Sequence, residues 1–140
     1  MINAVANSTV PHVTIIMGAA YGAGNYGMCG RAYGPRLLFT WPGARVAVMG
    51  PQQLAGVMSI VGRQSAEAAG RPFDEEADAV QRRSIEEQIE RESEALFMTG
   101  KLYDDGIIDP RDTRTVLGIC LSVIDNQPIA GTRGYGVFRM

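Results

Sequence analysis

A run of β-branched and apolar residues, Val13–Met17, stands between Pro11 and Gly18 and leads directly into a glycine-rich segment. A short apolar run bounded by turn residues predicts a strand that is buried on both faces. The glycines that follow allow close backbone approach and dihedral angles that other residues avoid. The chain must therefore place a tight turn of small residues directly beside a strand of its sheet.

The next part of the chain alternates strand patterns with helix patterns. Leu37–Trp41 and Arg45–Met49 predict two strands joined by a tight turn, and Gln53–Val61 has the apolar spacing of a helix. Asp109 and the proline after it predict a helix over residues 110–125. A chain of 140 residues with this order predicts one α/β domain, or a piece of one, with parallel strand pairing.

Two further segments predict helices. Met1–Ser8 has helix-compatible residues and predicts the end of a helix before Pro11. The segment Gln64–Phe97 contains ten acidic residues and four arginines, with apolar residues at roughly helical spacing among them. We expect one long, mostly solvated helix in this acidic segment.

The distribution of charge limits the possible chemistry. Residues 1–63 contain no aspartate or glutamate, so that half offers no carboxylate as base, nucleophile or metal ligand. The net charge of −2 does not favour nucleic-acid binding, and no apolar run reaches the roughly 18 residues that span a bilayer. One histidine and two cysteines form neither a metal cluster nor a disulfide framework. We expect no bound metal, no nucleic-acid or membrane partner, and a cytosolic or similar reducing compartment.

The densest unusual feature is the glycine-rich segment Gly18–Met28. Successive amides that turn into the start of a helix can donate to an anionic oxygen, so the segment predicts an oxyanion hole. A G-x-G-x-x-G pattern also runs from Gly22 to Gly27, but no acid follows within about 20 residues to bind a ribose hydroxyl, and we reject nucleotide binding. It remains open that these glycines only let a helix pack near a strand.

Other chemically able residues have plainer interpretations. We expect His12 to be a hydrogen-bonded structural histidine, and Cys29 and Cys120 to pack as small hydrophobic residues. The acidic pair in Asp104–Gly106 favours a turn over a catalytic pair. Trp41, directly before a proline, is expected to anchor the end of a strand.

Six motifs occur in order along the chain: Gly22–Tyr33, Pro35-Arg36, Trp41-Pro42, Ala47–Gly50, Asp104–Pro110 and Gly136–Met140. Together they resemble the carboxyltransferase (beta) subunit of biotin-dependent acyl-CoA carboxylases, and the glycine-rich loop is most similar to that of the methylcrotonoyl-CoA carboxylases of leucine catabolism. Beta subunits of that family are longer and contain two crotonase-like domains. The resemblance therefore implies that residues 1–140 are the C-terminal part of the C-terminal domain, a partial α/β crotonase-like (ClpP/crotonase) fold.

The resemblance also implies a mechanism and a set of partners. The backbone amides of Ala23 and Gly24 would form the oxyanion hole, and Tyr21, Gly22 and Asn25 would join them in binding biotin or substrate. Carboxybiotin would come from a biotin carboxylase and biotin carrier (alpha) subunit, which would use ATP and Mg, and the carboxyl group would pass to an acyl-CoA.

In such a family we expect a beta-subunit homo-oligomer, in the bacterial cytoplasm or the mitochondrial matrix. A fragment of this kind would be inactive alone, because the family's second oxyanion hole lies in the other domain. A different class of function also remains open. The same loop could serve a crotonase-type acyl-CoA-binding module or hydrolase without carboxyltransferase activity.

Overall fold

A computed structural model of the chain describes residues 1–132, 134 and 136. The described residues form an α/β arrangement, as predicted, and the last four residues of the terminal motif, 137–140, lie outside them. The elements in chain order are α1 (Ile2–Ala6), β1 (Val13–Ile16), β2 (Ala19–Tyr21), α2 (Ala23–Gly27), β3 (Leu37–Thr40), β4 (Arg45–Ala47), α3 (Pro51–Ala68), α4 (Glu75–Glu92), α5 (Ala95–Gly100) and α6 (Thr113–Ile124), with 3₁₀ turns at Arg31–Tyr33 and Pro110–Asp112.

Strand β3 lies between two parallel neighbours. Strand β1 pairs with it from Val13 opposite Leu37 to Ile16 opposite Thr40. On the other edge, Thr40 forms a parallel bridge with Ile107. The expected parallel pairing is confirmed, but the expectation that β1 is buried on both faces is wrong for the described chain. Only Ile16 of this strand is buried, since the other three residues are partly exposed and it alone joins the core cluster.

A second pair of strands is formed by β2 and β4, which alternate in the chain with β1 and β3. The predicted tight turn between β3 and β4 is present, since the Ala44 N–H donates to the Trp41 carbonyl oxygen at 3.0 Å. Strand β4 stops at Ala47, two residues earlier than predicted. Helix α3 starts soon afterwards with Pro51 in its first turn, where the missing N–H of proline costs nothing.

The core of the strand-containing part is small and gathers around β3. Ile16, Leu38, Ala44 and Met98 form one buried cluster, with Ala20 and Val46 packed against it. Trp41 lies at the end of β3, and its indole Nε1–H donates to Thr113 Oγ1 at 3.1 Å. This bond ties the strand end to the first residue of α6 and confirms the expected anchoring role of Trp41.

The chain divides into two compact units, one formed by Met1–Val46 with Glu94–Met140 and the other by Ala47–Ser93. The second unit holds α3 and α4, joined by a short connection. In it the Arg63 guanidinium makes two bonds to the Glu75 carboxylate, at 2.8 and 3.0 Å, and these raise the pKa of Arg63. Ser59 donates to Asp78 at 2.7 Å.

The prediction of one long acidic helix is wrong. Helix α3 continues to Ala68, and the chain then breaks at Gly70, which has a positive φ of 63°. Pro72 cannot continue a helix because it has no N–H, and Asp74 starts α4 by accepting bonds from two amides of the first turn. The expectation of a solvated segment is confirmed for α4, which buries none of its residues.

Helix α6 starts close to where its sequence pattern placed it. Asp109 accepts the Arg111 N–H at 2.9 Å, and the chain makes a 3₁₀ turn before the α-helix begins at Thr113. The side-chain bond from Arg111 also holds the pKa of Asp109 below its ordinary value. Of the predicted apolar face Cys120 is buried, but Leu121 is exposed. None of the helices in the described residues has the length and apolarity needed to cross a membrane.

We predict that Leu38→Ala lowers the free energy of unfolding by about 2–5 kcal/mol, because the removed atoms leave a cavity in the core. Leu96→Ala is the matched control, since Leu96 is 76% exposed and Leu38 only 1%. Urea unfolding of the purified chain followed by circular dichroism measures both. Equal losses for the two variants would show that the core does not lie around β3.

We also predict that the chain self-associates at micromolar concentration, because it exposes apolar side chains on α6. Ile119, Leu121 and Val123 are each more than half exposed. Sedimentation velocity should detect species larger than the 15.1 kDa monomer, and Leu121→Glu should shift the distribution towards the monomer. A stable monomer at that concentration would contradict the prediction.

Candidate functional site

The glycine-rich loop predicted from the sequence leaves the sheet at the end of β2. Strand β2 ends at Tyr21, and Gly22 then adopts φ 55° and ψ −132° before α2 begins at Ala23. This backbone conformation suits glycine, because a Cβ atom is strongly disfavoured there. Gly22 therefore turns the chain from β2 directly into α2.

The amides of Ala23 and Gly24 are the free donors of this loop. They lie in the first turn of α2, where an α-helix provides no acceptor, and no side chain caps that end. Within the described residues no other backbone carbonyl accepts them either, whereas the Asn25 amide donates to the Gly22 carbonyl at 3.1 Å. Ala23 and Gly24 are solvent-exposed, and a Cβ atom built on Gly24 would meet nothing within 4 Å. The two amides predicted to form an oxyanion hole are thus unpaired and accessible.

The other end of α2 is closed by a Schellman motif with an unusual residue in it. The Gly30 N–H donates to the Asn25 carbonyl at 2.8 Å, and the Cys29 N–H donates to the Tyr26 carbonyl at 3.1 Å. The left-handed position of this motif usually belongs to glycine, but here Cys29 occupies it with φ 56°. A non-glycine residue in this conformation costs roughly 1–2 kcal/mol. The surrounding contacts must therefore hold Cys29 in place.

Cys29 is not a nucleophile candidate in this structure. Its side chain is buried, and burial raises the pKa of the thiol, which disfavours the reactive thiolate. Cys120 is buried as well. The expectation that both cysteines pack as small hydrophobic residues is confirmed.

The neighbouring glycine is at position 30 for a steric reason. A Cβ atom on Gly30 would lie 1.7 Å from Asn25 Oδ1 and 2.8 Å from the Asn25 carbonyl oxygen. Asn25 therefore folds back onto the chain at Gly30. This contact assigns the Asn25 side chain to the shape of the loop, and it could not be predicted from the motif.

Thr14 of β1 also reaches this loop. Its hydroxyl donates to the Cys29 carbonyl oxygen at 2.9 Å, and the Met28 carbonyl oxygen lies within reach at 3.4 Å. No role is predicted for Thr14 from the sequence, because a threonine in a β-branched run is typical of any strand.

A groove of about 660 Å³ runs between β1 and α2. It is lined by the residues of β1, by Gly24 and Asn25 of the loop and by His12. The expectation that His12 is a hydrogen-bonded side chain is wrong for the described residues. Its carbonyl oxygen accepts the Arg36 N–H at 2.8 Å, whereas its imidazole has no bonding partner there. The peptide group of this residue, and not its ring, holds it in the fold.

The acidic pair before Gly106 lies at a bend, as predicted, and both carboxylates are engaged there. Asp105 Oδ2 accepts the Leu38 N–H at 2.7 Å and lies 3.6 Å from the Arg31 guanidinium. Asp104 is buried and accepts the Thr99 hydroxyl at 2.8 Å. Asp105 therefore holds the backbone of β3, and Asp104 is bonded to α5. Within the described part of the chain, no group of three or more histidine, cysteine or acidic residues could hold a metal ion.

We predict that Gly30→Ala destabilises the chain by about 1–3 kcal/mol, because the new methyl group has no room beside Asn25. Gly18→Ala is the control, since nothing lies within 4 Å of its added Cβ atom. The double variant Asn25→Ala, Gly30→Ala should recover only part of the loss, because the clash with the carbonyl oxygen remains. The urea concentration at the midpoint of unfolding is measured for all three variants. A Gly30→Ala variant as stable as Gly18→Ala would show that the Asn25 contact is absent.

Similarity to known proteins places this chain in a family. The carboxyl transferase domain family matches residues 1–136. The chain is 66% identical to the probable biotin-dependent acyl-coenzyme A carboxylase beta2 subunit of Mycobacterium tuberculosis, a match that covers the whole chain and 26% of that protein. It is 47% identical to the mitochondrial methylcrotonoyl-CoA carboxylase beta chain of Arabidopsis thaliana, over the whole chain and 24% of that protein.

A solved structure supports the same relationship. The beta subunit of P. aeruginosa geranyl-CoA carboxylase superposes with a TM-score of 0.81 at 40% identity, over 97% of this chain and 26% of that subunit. The chain thus spans about a quarter of the length of the relatives it matches. The expected crotonase-like carboxyltransferase fold is confirmed as a partial domain, and the chain belongs to the carboxyl transferase domain family.

Proposed function

We propose that this chain is the biotin-side part of a carboxyltransferase that moves a carboxyl group from carboxybiotin to an acyl-CoA. The observation that carries the proposal is the pair of unpaired, exposed amides of Ala23 and Gly24 in a chain of the carboxyl transferase domain family. We further propose that residues 1–140 form the C-terminal part of the C-terminal domain of a longer beta subunit. The match to only about a quarter of each relative supports a longer subunit, and the C-terminal placement follows from the family resemblance.

The loop suits the oxygen of a biotin ureido group. Carboxybiotin would supply the carboxyl group, and negative charge develops on the ureido oxygen as that group leaves. The amides of Ala23 and Gly24 would donate to this oxygen, and one such donor is typically worth about 3 kcal/mol in the transition state. The open space beside Gly24 lets an oxygen approach the backbone closely.

The electrostatics of the strand-containing unit favour the same assignment. No carboxylate occurs in residues 1–63, and Asp104 and Asp105 are already bonded to Thr99 and the Leu38 amide. An oxyanion at the loop would therefore face donors without a nearby free carboxylate from these segments. Tyr21 and Gly22 would form the approach to the site, and Asn25 would act by holding the loop shape against Gly30.

We propose an acyl-CoA similar to methylcrotonoyl-CoA as the substrate. The 47% identity to the Arabidopsis thaliana methylcrotonoyl-CoA carboxylase beta chain supports this choice. The beta subunit of geranyl-CoA carboxylase, which is named for another acyl-CoA substrate, shares 40% identity with this chain. The partner would be a biotin carboxylase and biotin carrier (alpha) subunit that uses ATP and Mg. The beta subunits would form a homo-oligomer in the bacterial cytoplasm or the mitochondrial matrix.

The test uses a chimeric beta subunit, in which this chain replaces the matching segment of the Mycobacterium tuberculosis beta2 subunit. That replacement is favourable because the two segments are 66% identical over 140 residues. Carboxyl transfer is measured in reverse, from a carboxylated acyl-CoA to free biotin, and thioester hydrolysis is measured in parallel. Transfer by the chimera supports the proposal. Hydrolysis without transfer would favour a hydrolase of the crotonase type.

We predict that Ala23→Pro lowers the rate of carboxyl transfer in the chimera by about 10²–10³-fold, because it deletes one oxyanion donor. Proline is accepted at the first position of a helix, so the fold should persist. Ala23→Gly keeps the N–H and is the matched control, while His12→Gln tests the only histidine side chain of the groove. Both should retain most activity. A folded Ala23→Pro variant with unchanged turnover would refute the assignment of this amide.

A further inference from the structure

We propose that Thr14 is a positioning residue for the loop, and that its hydroxyl fixes α2 so that the amides of Ala23 and Gly24 keep their place. Thr14 would not contact substrate. It would act through the Cys29 carbonyl at the far end of the helix. This inference rests on the function proposed above.

Helix α2 needs an external support. It has only five residues and buries none of them. A helix of this length is not stable on its own, because nucleation costs more than its few hydrogen bonds return. Apart from an edge contact between the rings of Tyr26 and Tyr33, whose centroids are 5.5 Å apart, the position of α2 depends on how its two ends are attached.

Thr14 attaches the C-terminal end of α2 to a strand that pairs with the buried core strand β3. In the parallel register Thr14 lies opposite Leu38, which is fully buried in the core. Its hydroxyl donates to the Cys29 carbonyl oxygen at 2.9 Å, and the Met28 carbonyl oxygen lies 3.4 Å away. One side chain thus reaches the last two carbonyl groups that α2 and its cap present.

The residue that Thr14 holds is also the strained one. Cys29 has a positive φ of 56°, and the N–H of the next residue, Gly30, reaches the Asn25 carbonyl oxygen only while that conformation lasts. A strained residue persists when its surroundings leave it no alternative. The Thr14 bond to its carbonyl oxygen is such a constraint, so losing the hydroxyl should let Cys29 relax and α2 turn about its other end.

A rotation at Cys29 would displace the amides of the proposed site. From Ala23 to Cys29 the chain rises about 9 Å along one helix and its cap. The amides at the start of such a short segment move with its end. Catalysis is sensitive to shifts of this kind, since misplacement by about 1 Å can cost roughly 100-fold in rate.

Three variants of the chimeric subunit separate positioning from simple stability. Thr14→Val removes the hydroxyl and keeps the β-branched shape, and Thr14→Ser keeps the hydroxyl. Thr99→Val is the matched control, because Thr99 also makes a partly buried hydroxyl bond, to Asp104, away from the loop. The measurements are kcat, the KM values for free biotin and for the carboxylated acyl-CoA, and amide hydrogen exchange over residues 22–30.

For Thr14→Val we expect a fall in kcat of about tenfold or more, with the KM of the acyl-CoA unchanged within about twofold. Exchange over residues 22–30 should become faster in the same variant. Thr14→Ser should restore most of both properties. Thr99→Val should lower thermal stability while leaving loop exchange and kcat near those of the parent.

Each other outcome is decisive. Unchanged loop exchange in Thr14→Val would show that the hydroxyl does not hold α2. Faster exchange with unchanged kcat would show that the bond is structural only, and so would equal kcat losses in Thr14→Val and Thr99→Val. If the parent chimera transfers no carboxyl group at all, the proposed function fails, and the positioning role that rests on it fails too. The exchange measurement then still shows whether Thr14 holds the loop.

Discussion

The short helix α2 has no buried face, and this lack governs the whole candidate site. All five of its residues are at least partly exposed, so burial of apolar surface cannot fix where the helix lies. Apart from the contact of Tyr26 with Tyr33, the ends of the helix fix its position. Gly22 turns the chain from β2 at one end, and the Schellman motif, Thr14 and the Asn25 contact close the other. The same lack of burial leaves the amides of Ala23 and Gly24 open to a ligand.

The glycines of the loop are not equivalent, although they look alike in the sequence. Gly22 is needed for its positive φ, and Gly30 is needed because Asn25 occupies the space of a side chain. Gly18 and Gly24 have neither requirement, since an added Cβ atom meets nothing at either position. For Gly24, the open space is consistent with access by another molecule. Counting glycines therefore identified the loop but not the reason for each one.

Local signals in the sequence predicted much of the fold. The β-branched run at Val13 and the cap at Asp109 both depend on neighbouring residues, and both elements formed where expected. The break at Gly70 was missed because the acidic pattern on either side favoured one helix. The glycine pattern also located the loop. The choice of Ala23 and Gly24 as donors came from the family resemblance, and their amides have no partner within the described residues. The sequence could not reveal the contact that Thr14 makes with the loop or the one that Asp105 makes with β3, because each joins residues far apart in the chain.

The strand-containing unit is formed by two separate segments of the chain, and this affects how it can fold during synthesis. Residues Ala47–Ser93 leave it at Val46 and rejoin it at Glu94. The two junctions lie side by side, since Arg45 and Glu94 form an antiparallel bridge and an ion pair at 3.6 Å. A ribosome makes the whole helical unit before the segment that completes β3 through Ile107. Closing a long loop has an entropic cost that grows with its length. Any helical order gained early between the two junctions shortens the effective loop and helps the nascent chain to close its sheet.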